Sequence, residues 1–192
     1  MLALLCVSQA SFILAGLATA NAEGITGALI HWMVVAAAST GLICIIRVLE
    51  VRVSDVENPT GYLGLAIKVP RLATFFFVCG LALIGLPGTL GYCAEDLLFH
   101  GALENHPWIG LVLPVATACN AINFIRLFGL LFLGVLPKHV IDIPDALPRE
   151  RWPLVACVVF LVFGGLLPAV VIGWRSPAAA EIQHLIKPPK AH

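Results

Sequence analysis

Apolar positions in this chain come in long blocks rather than in the three-and-four spacing of a soluble amphipathic helix. Residues 2–20, 25–46, 71–103, 108–136 and 153–174 are predominantly apolar, and polar stretches at 47–70, 104–107 and 137–152 separate the later ones. A run of about 20 apolar residues makes a helix long enough to cross a hydrocarbon core of about 30 Å. The pattern predicts an all-α integral membrane protein of about five transmembrane helices. Residues 1–174 make the predicted bundle, and the Pro- and Ala-rich stretch 175–192 is expected to be a flexible tail.

One block has the wrong length. As a straight helix, residues 71–103 would reach about 50 Å, too long for one span and too short for two. Gly85, Pro87 and Gly88 interrupt it near its middle, and Glu95, Asp96 and His100 follow in its second half. Pro87 has no N–H, so the carbonyl of Leu83 loses its helical donor. The glycines let the backbone leave helical geometry. A discontinuous helix broken at Gly85, Pro87 and Gly88 is the expected solution. Freed backbone groups at membrane depth persist only against protein or water, so the break is expected to line a cavity.

Glu95 lies just past that break. A carboxylate facing lipid costs roughly 3 kcal/mol on insertion scales, so this one is expected to turn inward. A carboxyl that holds or releases a proton beside a wet break is a candidate proton-handling site. The competing reading is a kink used only for packing, with Glu95 among the headgroups.

Composition strengthens the membrane reading. Of 192 residues, 60% are hydrophobic and 11% charged, and the net charge is zero; mean hydropathy is +0.99. A soluble domain has about 25% charged residues. No basic footprint for nucleic acid is present. The six cysteines lie in apolar stretches without a C-x-x-C, so they read as packing residues, and neither metal nor cofactor is expected. No nucleophile–base set supports an enzyme activity of its own, so any enzyme label would come from a larger complex. The first block admits a second reading, a secretory signal peptide, because Ala18-Thr-Ala20 and Ala20-Asn-Ala22 have the A-x-A form. No Lys or Arg precedes it and Ser8-Gln9-Ala-Ser11 interrupts it, which favours a membrane helix.

Orientation follows from charge. With 71–103 as one crossing, the loops 47–71 and 137–152 share a side and carry seven Lys or Arg, which places them in the cytoplasm. If 71–103 were a two-crossing hairpin, the tail would join 47–71 instead. Asn58-Pro59-Thr-Gly61 reads as a turn, and Trp108, Trp152 and Trp174 fall at span ends like an aromatic belt.

The polar residues inside the blocks are few. Glu95 and Asp96 are neighbours and point about 100° apart on a helix. Asp96 and His100 are four apart and share a face. His31 is either satisfied by a backbone carbonyl or part of a proton relay. Arg126 reads as an ion-pair anchor for Asp96 or Glu95, since Arg does not deprotonate. Asn120 and Asn123 either hold water or join helices.

These residues resemble a family. Gly85-Leu-Pro-Gly-Thr-Leu-Gly-Tyr-Cys-Ala-Glu95-Asp is similar to the discontinuous-helix motif of the antiporter-like, proton-translocating membrane subunits of respiratory complex I, shared with Mrp-type cation/proton antiporters and membrane-bound hydrogenases. Ser8-Gln9-Ala-Ser-Phe-Ile-Leu-Ala-Gly16 and Gly27-Ala-Leu-Ile-His31 resemble the helix pair before it, and Asn123-Phe-Ile-Arg126-Leu-Phe the helix after it. The resemblance implies that Glu95 is the proton-loading carboxyl, with a Glu there typical of the chain M type, and that His31 is a relay. It also implies a bacterial inner-membrane location and membrane subunits as partners. Two departures stand out. Ser39 occupies a place where the family usually carries Lys, and Val35 a place where it carries a second His. The family also pairs two inverted five-helix repeats, and this chain resembles only the later one. A partner chain, or a longer gene, is expected to supply the missing N-terminal helices.

Overall fold

The computed structural model describes residues 1–53, 61–135 and 143–186. Within them the chain forms α1 (Leu2–Ala18), α2 (Ala22–Arg52), a short 3-10 turn (Leu65–Ile67), α3 (Pro70–Leu83), α4 (Leu90–Asn105), α5 (Pro107–Phe132), α6 (Pro148–Leu166) and α7 (Pro168–Ile186). No strand occurs among the described residues. By length and apolar character α2 and α5 each suffice to cross a membrane, and α6 with α7 form a third candidate bent by 89°. α1 and α3 are shorter apolar helices.

The long helix α2 is the hub. Ala28, His31, Val34, Ala38, Leu42, Ile45 and Leu49 are buried along it, at the three-and-four spacing that keeps a row of side chains on one helical stripe. α1, α3, α4, α6 and α7 all pack on α2. Small residues let α4 come close: a Cβ at Gly101 would lie 2.4 Å from the Gly24 nitrogen, and one at Gly27 would lie 2.9 Å from the Leu98 nitrogen. Such backbone approach is how helices associate where burial of apolar surface gives little advantage.

Polar clasps hold the two ends. Asn21 caps α2, its Oδ1 accepting from Gly24 N at 2.8 Å. Its Nδ2 donates to Gly101 O at 2.8 Å and to Glu104 at 3.0 Å. Asn105 donates to Thr19 O at 2.7 Å. The last turn of α4 is thereby tied to the α1–α2 turn. At the opposite end Arg52 donates to Pro144 O at 2.8 Å and pairs with Glu150 at 2.5 Å. Asp145 accepts from the Arg71 and Leu72 amides at 3.2 and 3.4 Å, capping α3 from 74 residues away. So α3 begins beside the C-terminus of α2 and α4 ends beside its N-terminus. The segment 71–103 traverses the bundle once, and the hairpin alternative is excluded.

Three expectations change. α2 continues helical through Arg52 rather than stopping at Arg47. The final span, expected as 153–174, is two helices joined at Leu167, where Pro168 removes an amide and restricts the residue before it. Residues 175–186, expected as part of a loose tail, are helical; 187–192 lie outside the described residues, as do Asn58, Pro59 and Thr60 of the expected turn and 137–142 of the last loop. Trp108 and Trp152 lie in the first turns of α5 and α6, whereas Trp174 lies within α7.

Candidate functional site

The interruption falls at 84–89, between α3 and α4. The sequence pointed to Pro87 as its cause, but the geometry credits Gly85 first. Gly85 has φ +73°, which a residue with a Cβ adopts at a cost of roughly 1–2 kcal/mol. Its amide bonds Ala82 O at 3.4 Å, and the Leu86 amide reaches back to Leu81 O at 2.9 Å. This crossed pair of bonds around a left-handed glycine is a Schellman end. Pro87 comes two residues later and prevents resumption of the helix. Gly91 then allows α4 to start against α3, because a Cβ there would sit 1.9 Å from Ala82 O.

The carboxyl of Glu95 occupies the room left by Gly85. A Cβ at Gly85 would meet Glu95 Oε2 at 2.6 Å and Cδ at 2.8 Å. The acid is therefore folded back onto the break one turn before its own position in α4. Thr117 of α5 donates to Oε2 at 3.0 Å. The other oxygen, Oε1, is buried without a hydrogen-bond partner. A cavity of about 360 Å³ adjoins the acid, lined among others by Phe12, Gly85, Tyr92, Asp96, Pro114 and Thr117. Tyr92 and Asp96 are exposed, so the cavity reaches the outer side of the bundle between α4 and α5. Most of the wall is apolar, and its polar groups come from Glu95, Asp96, Thr117 and Tyr92.

His31 is fully buried one layer deeper. Its Nε2 lies 3.1 Å from both the backbone oxygen and the Oε1 of Gln9 on α1. Its ring stacks on Phe12 at 5.7 Å between centroids. Nδ1 is buried without a partner. Gln9 is also fully buried; its side chain neighbours the Glu95 carboxyl, and its Nε2 has no hydrogen-bond partner. One side chain thus stands between the imidazole and the carboxyl. Gln9 and Thr117 are the two neighbours that reading the residues alone did not select. Gln9 sat in a motif as sequence, without a role, and Thr117 carries no signal in a chain that places hydroxyls in most of its helices.

The remaining predicted residues divide. Asp96 and His100 point away from Glu95, as their spacing required. They pair with each other at 3.5 Å on an exposed face, and His100 Nδ1 lies 2.8 Å from Asp96 O. Arg126, expected to anchor Asp96 or Glu95, does neither: it is exposed on the far side of α5 and forms no ion pair among the described residues. The reason is angular. Arg126 lies nine residues beyond Thr117, which is half a turn out of phase at 3.6 residues per turn. Asn123 is exposed as well, while Asn120 is buried with its Nδ2 unpartnered. Ser39 bonds the Val35 carbonyl of its own helix, so its hydroxyl is used locally and does not reach the His31–Glu95 pair.

Known proteins are similar to this chain in sequence and in fold. The chain is 33% identical over 178 residues to NADH-quinone oxidoreductase subunit N of Desulforudis audaxviator, covering 90% of this chain and 34% of the relative. It is 26% identical over 173 residues to NADH-quinone oxidoreductase subunit M of Rickettsia bellii, covering 90% and 35%. Its fold matches a chain of respiratory complex I from Thermus thermophilus with a TM-score of 0.78 at 25% identity, over 91% of this chain and 36% of that one. The Mrp complex of Dietzia matches in fold, with a TM-score of 0.72 at 18% identity, over 95% and 47%. The chain spans about a third of the length of the curated relatives it matches. Residues 1–120, which carry His31, the broken helix and Glu95, match the family described as NADH:quinone oxidoreductase/Mrp antiporter, TM, and the chain belongs to that membrane-protein family.

Proposed function

We propose that the chain moves protons across a membrane as part of an antiporter-like subunit of an NADH-quinone oxidoreductase-type complex. The observation that carries this reading is the nesting of the Glu95 carboxyl against Gly85 at the break, between a cavity and the Gln9–His31 pair. In this reading Glu95 takes up and releases the proton. The break at Gly85, Pro87 and Gly88 gives water access, and His31 receives or supplies the proton on the interior side. Asp96 and His100 lie at the cavity mouth and on the outer face of the same helix, where they meet a neighbouring helix. Asn120 supports the interior path, while Asn123, Arg126 and Ser39 serve contacts rather than transfer.

The finer architecture belongs to the same proposal. About five crossings result if α1, α2, the α3–α4 pair, α5 and α6 each count as one. The clasp joining Arg52, Pro144 and Glu150 groups the basic loops on one side, and the positive-inside rule makes that side cytoplasmic. A bacterial inner membrane fits such a subunit. Helices beyond this chain, supplied by the same gene or by a partner subunit, would cover the exposed flank of α5, where Val115, Ile122 and Ile125 are more than half exposed.

The test is Glu95→Gln. It keeps shape and removes the titrating proton. Proton transfer, followed by the response of a pH-sensitive dye in sealed vesicles, is expected to fall at least about a hundredfold, the scale of one positioned acid–base group, while insertion and assembly persist. Unchanged transfer would reject the reading. A second reading, a structural module whose polar groups join helices, is favoured by one observation: Ser39 stands where the family usually carries Lys and bonds only its own helix. It predicts that Glu95→Gln harms assembly and leaves any transfer by the complex untouched.

A further inference from the structure

We propose that Gln9 is the positioning residue that couples His31 to Glu95: it fixes which imidazole nitrogen carries the resting hydrogen and aims its own amide N–H groups at the carboxyl. The argument starts from an atom that cannot change its role. The backbone oxygen of Gln9 lies 3.1 Å from His31 Nε2, and a carbonyl only accepts. Nε2 therefore carries the hydrogen in neutral His31. The second contact follows from the first. Whichever end of the Gln9 amide faces Nε2, at 3.1 Å, must also accept, so it is Oε1; the NH2 end there would set donor against donor. The Gln9 Nε2 is then turned away from the imidazole.

It turns toward the acid. Gln9 Nε2 is a buried donor without a partner, and Glu95 Oε1 a buried acceptor without one; the two side chains are neighbours. They are chemical complements, and a buried polar group left unpaired is destabilising. Small movement of the carboxyl, which has room in the adjoining cavity, lets the two meet. Thr117 already holds Oε2, so an ionised Glu95 has one donor prepared for each oxygen.

The same geometry assigns the receiving atom on the histidine. With hydrogen on Nε2, the lone pair of neutral His31 is on Nδ1, which is buried and unpartnered. An arriving proton bonds there, giving an imidazolium whose Nε2–H still donates to Gln9. The amide of Gln9 does not ionise, so it orients both groups and does not itself carry the proton. Gly16 and Phe12, on the same α1, keep Gln9 in place: a Cβ at Gly16 would overlap Leu98 at 2.2 Å, so α1 packs tightly here, and Phe12 stacks on the imidazole.

This deepens the proton-transfer reading and rests on it for any effect on transport, so its test reads the groups directly. In the full-length protein with its associated subunits, solid-state NMR of 15N-histidine is the first measurement, with the His31 signal assigned by its loss in His31→Ala. Neutral His31 is expected to bear hydrogen on Nε2; hydrogen on Nδ1 overturns the proposal without any variant at Gln9. The second is the infrared carbonyl band of protonated Glu95, assigned by its loss in Glu95→Gln. Gln9→Leu is expected to shift that band to higher frequency, as for a carbonyl that has lost a donor, while the backbone carbonyl at position 9 keeps the hydrogen on His31 Nε2. Gln9→Glu keeps an acceptor for His31, so the tautomer stays while the Glu95 band moves. A band unmoved in both variants overturns the proposal. Transfer in Gln9→Leu is expected to fall about five- to tenfold, one lost hydrogen bond's worth. If Glu95→Gln transfers protons normally while both spectra behave as stated, the transport reading fails and the Gln9 assignment stands. If Glu95→Gln abolishes transfer and the spectra do not move, the reverse holds.

Discussion

Among the described residues two helices are broken, and the breaks touch. The first break lies at 84–89 between α3 and α4; the second lies at Leu167 between α6 and α7, bent by 89°. Gly165 brings them together, because a Cβ there would stand 2.3 Å from the Thr89 carbonyl carbon. Both contain glycine and proline. Both interrupt the backbone hydrogen-bond ladder of an apolar helix. Only the first has an acid folded onto it. Leu166, Leu167 and Val170 surround the second, all more than half exposed, with no ionisable side chain before Arg175. Glycine and proline therefore make a bend, and a bend is not a site. The first break becomes one because Gly85 leaves a space of carboxyl size, Glu95 fills it, and Thr117 and Gln9 approach from two other helices.

Removing that space separates the two breaks most sharply. Gly85→Ala is expected to have the largest effect after loss of the acid itself. Its methyl group would stand 2.6 Å from Glu95 Oε2 and force the carboxyl out of its seat. The left-handed backbone adds a strain of roughly 1–2 kcal/mol. Gly88→Ala is the control. It carries comparable strain at φ +91°, but nothing lies within 4 Å of the new methyl. Both variants should lose similar thermal stability in detergent. Proton transfer should drop at least about tenfold more in Gly85→Ala than in Gly88→Ala, because displacing a reacting group by an ångström is that damaging. Equal losses would mean that strain, not the seat, matters.

A smaller effect is expected at Thr117. Thr117→Val keeps the shape and deletes the donor to Glu95 Oε2. One such bond is worth about 1 kcal/mol, so transfer should change about fivefold with assembly intact. The equivalent substitution at Thr40, which bonds only Ala36 O on its own helix, should leave transfer unchanged.

How much of this was legible beforehand follows the same division. The blocks of apolar residues gave the helices, and a length that matched neither one span nor two gave the first break. The inward acid followed from the cost of placing charge in lipid. What stayed hidden was everything set by relative rotation of helices. Arg126 belongs to the right helix but the wrong side of it, a difference of half a turn that spacing within α5 does not reveal without knowing where α4 lies. Thr117, on the inner side of the same helix, looked ordinary for the converse reason. Gln9 comes to His31 only because α1 and α2 pack face to face across 22 residues. The second break was hidden too: the apolar run 153–174 passes smoothly over Leu167, and only Pro168 hinted at an end that the hydropathy denied.

Pro168→Ala should have the least effect on transfer, and the reason sharpens the contrast. Alanine restores an amide at 168 and lifts the restriction on Leu167, so α6 gains the means to continue straight. What holds the bend then is the packing of α7 on α2, where Arg175 lies 3.1–3.2 Å from the Met33 sulfur and its guanidinium sits 4.3 Å over Trp174. Those are weak contacts beside the roughly 3 kcal/mol that proline imposes on a helix interior. The variant should therefore straighten in a fraction of molecules. A spin-label pair on Val158 and Ile182 would report this as a second, longer distance. Proton transfer should remain within about twofold of the parent, since no group of the second break touches Glu95, Gln9 or His31. A large loss of transfer with the longer distance present would show that the two breaks move together through the Gly165–Thr89 contact, and the second would then have to be counted as part of the machinery of the first.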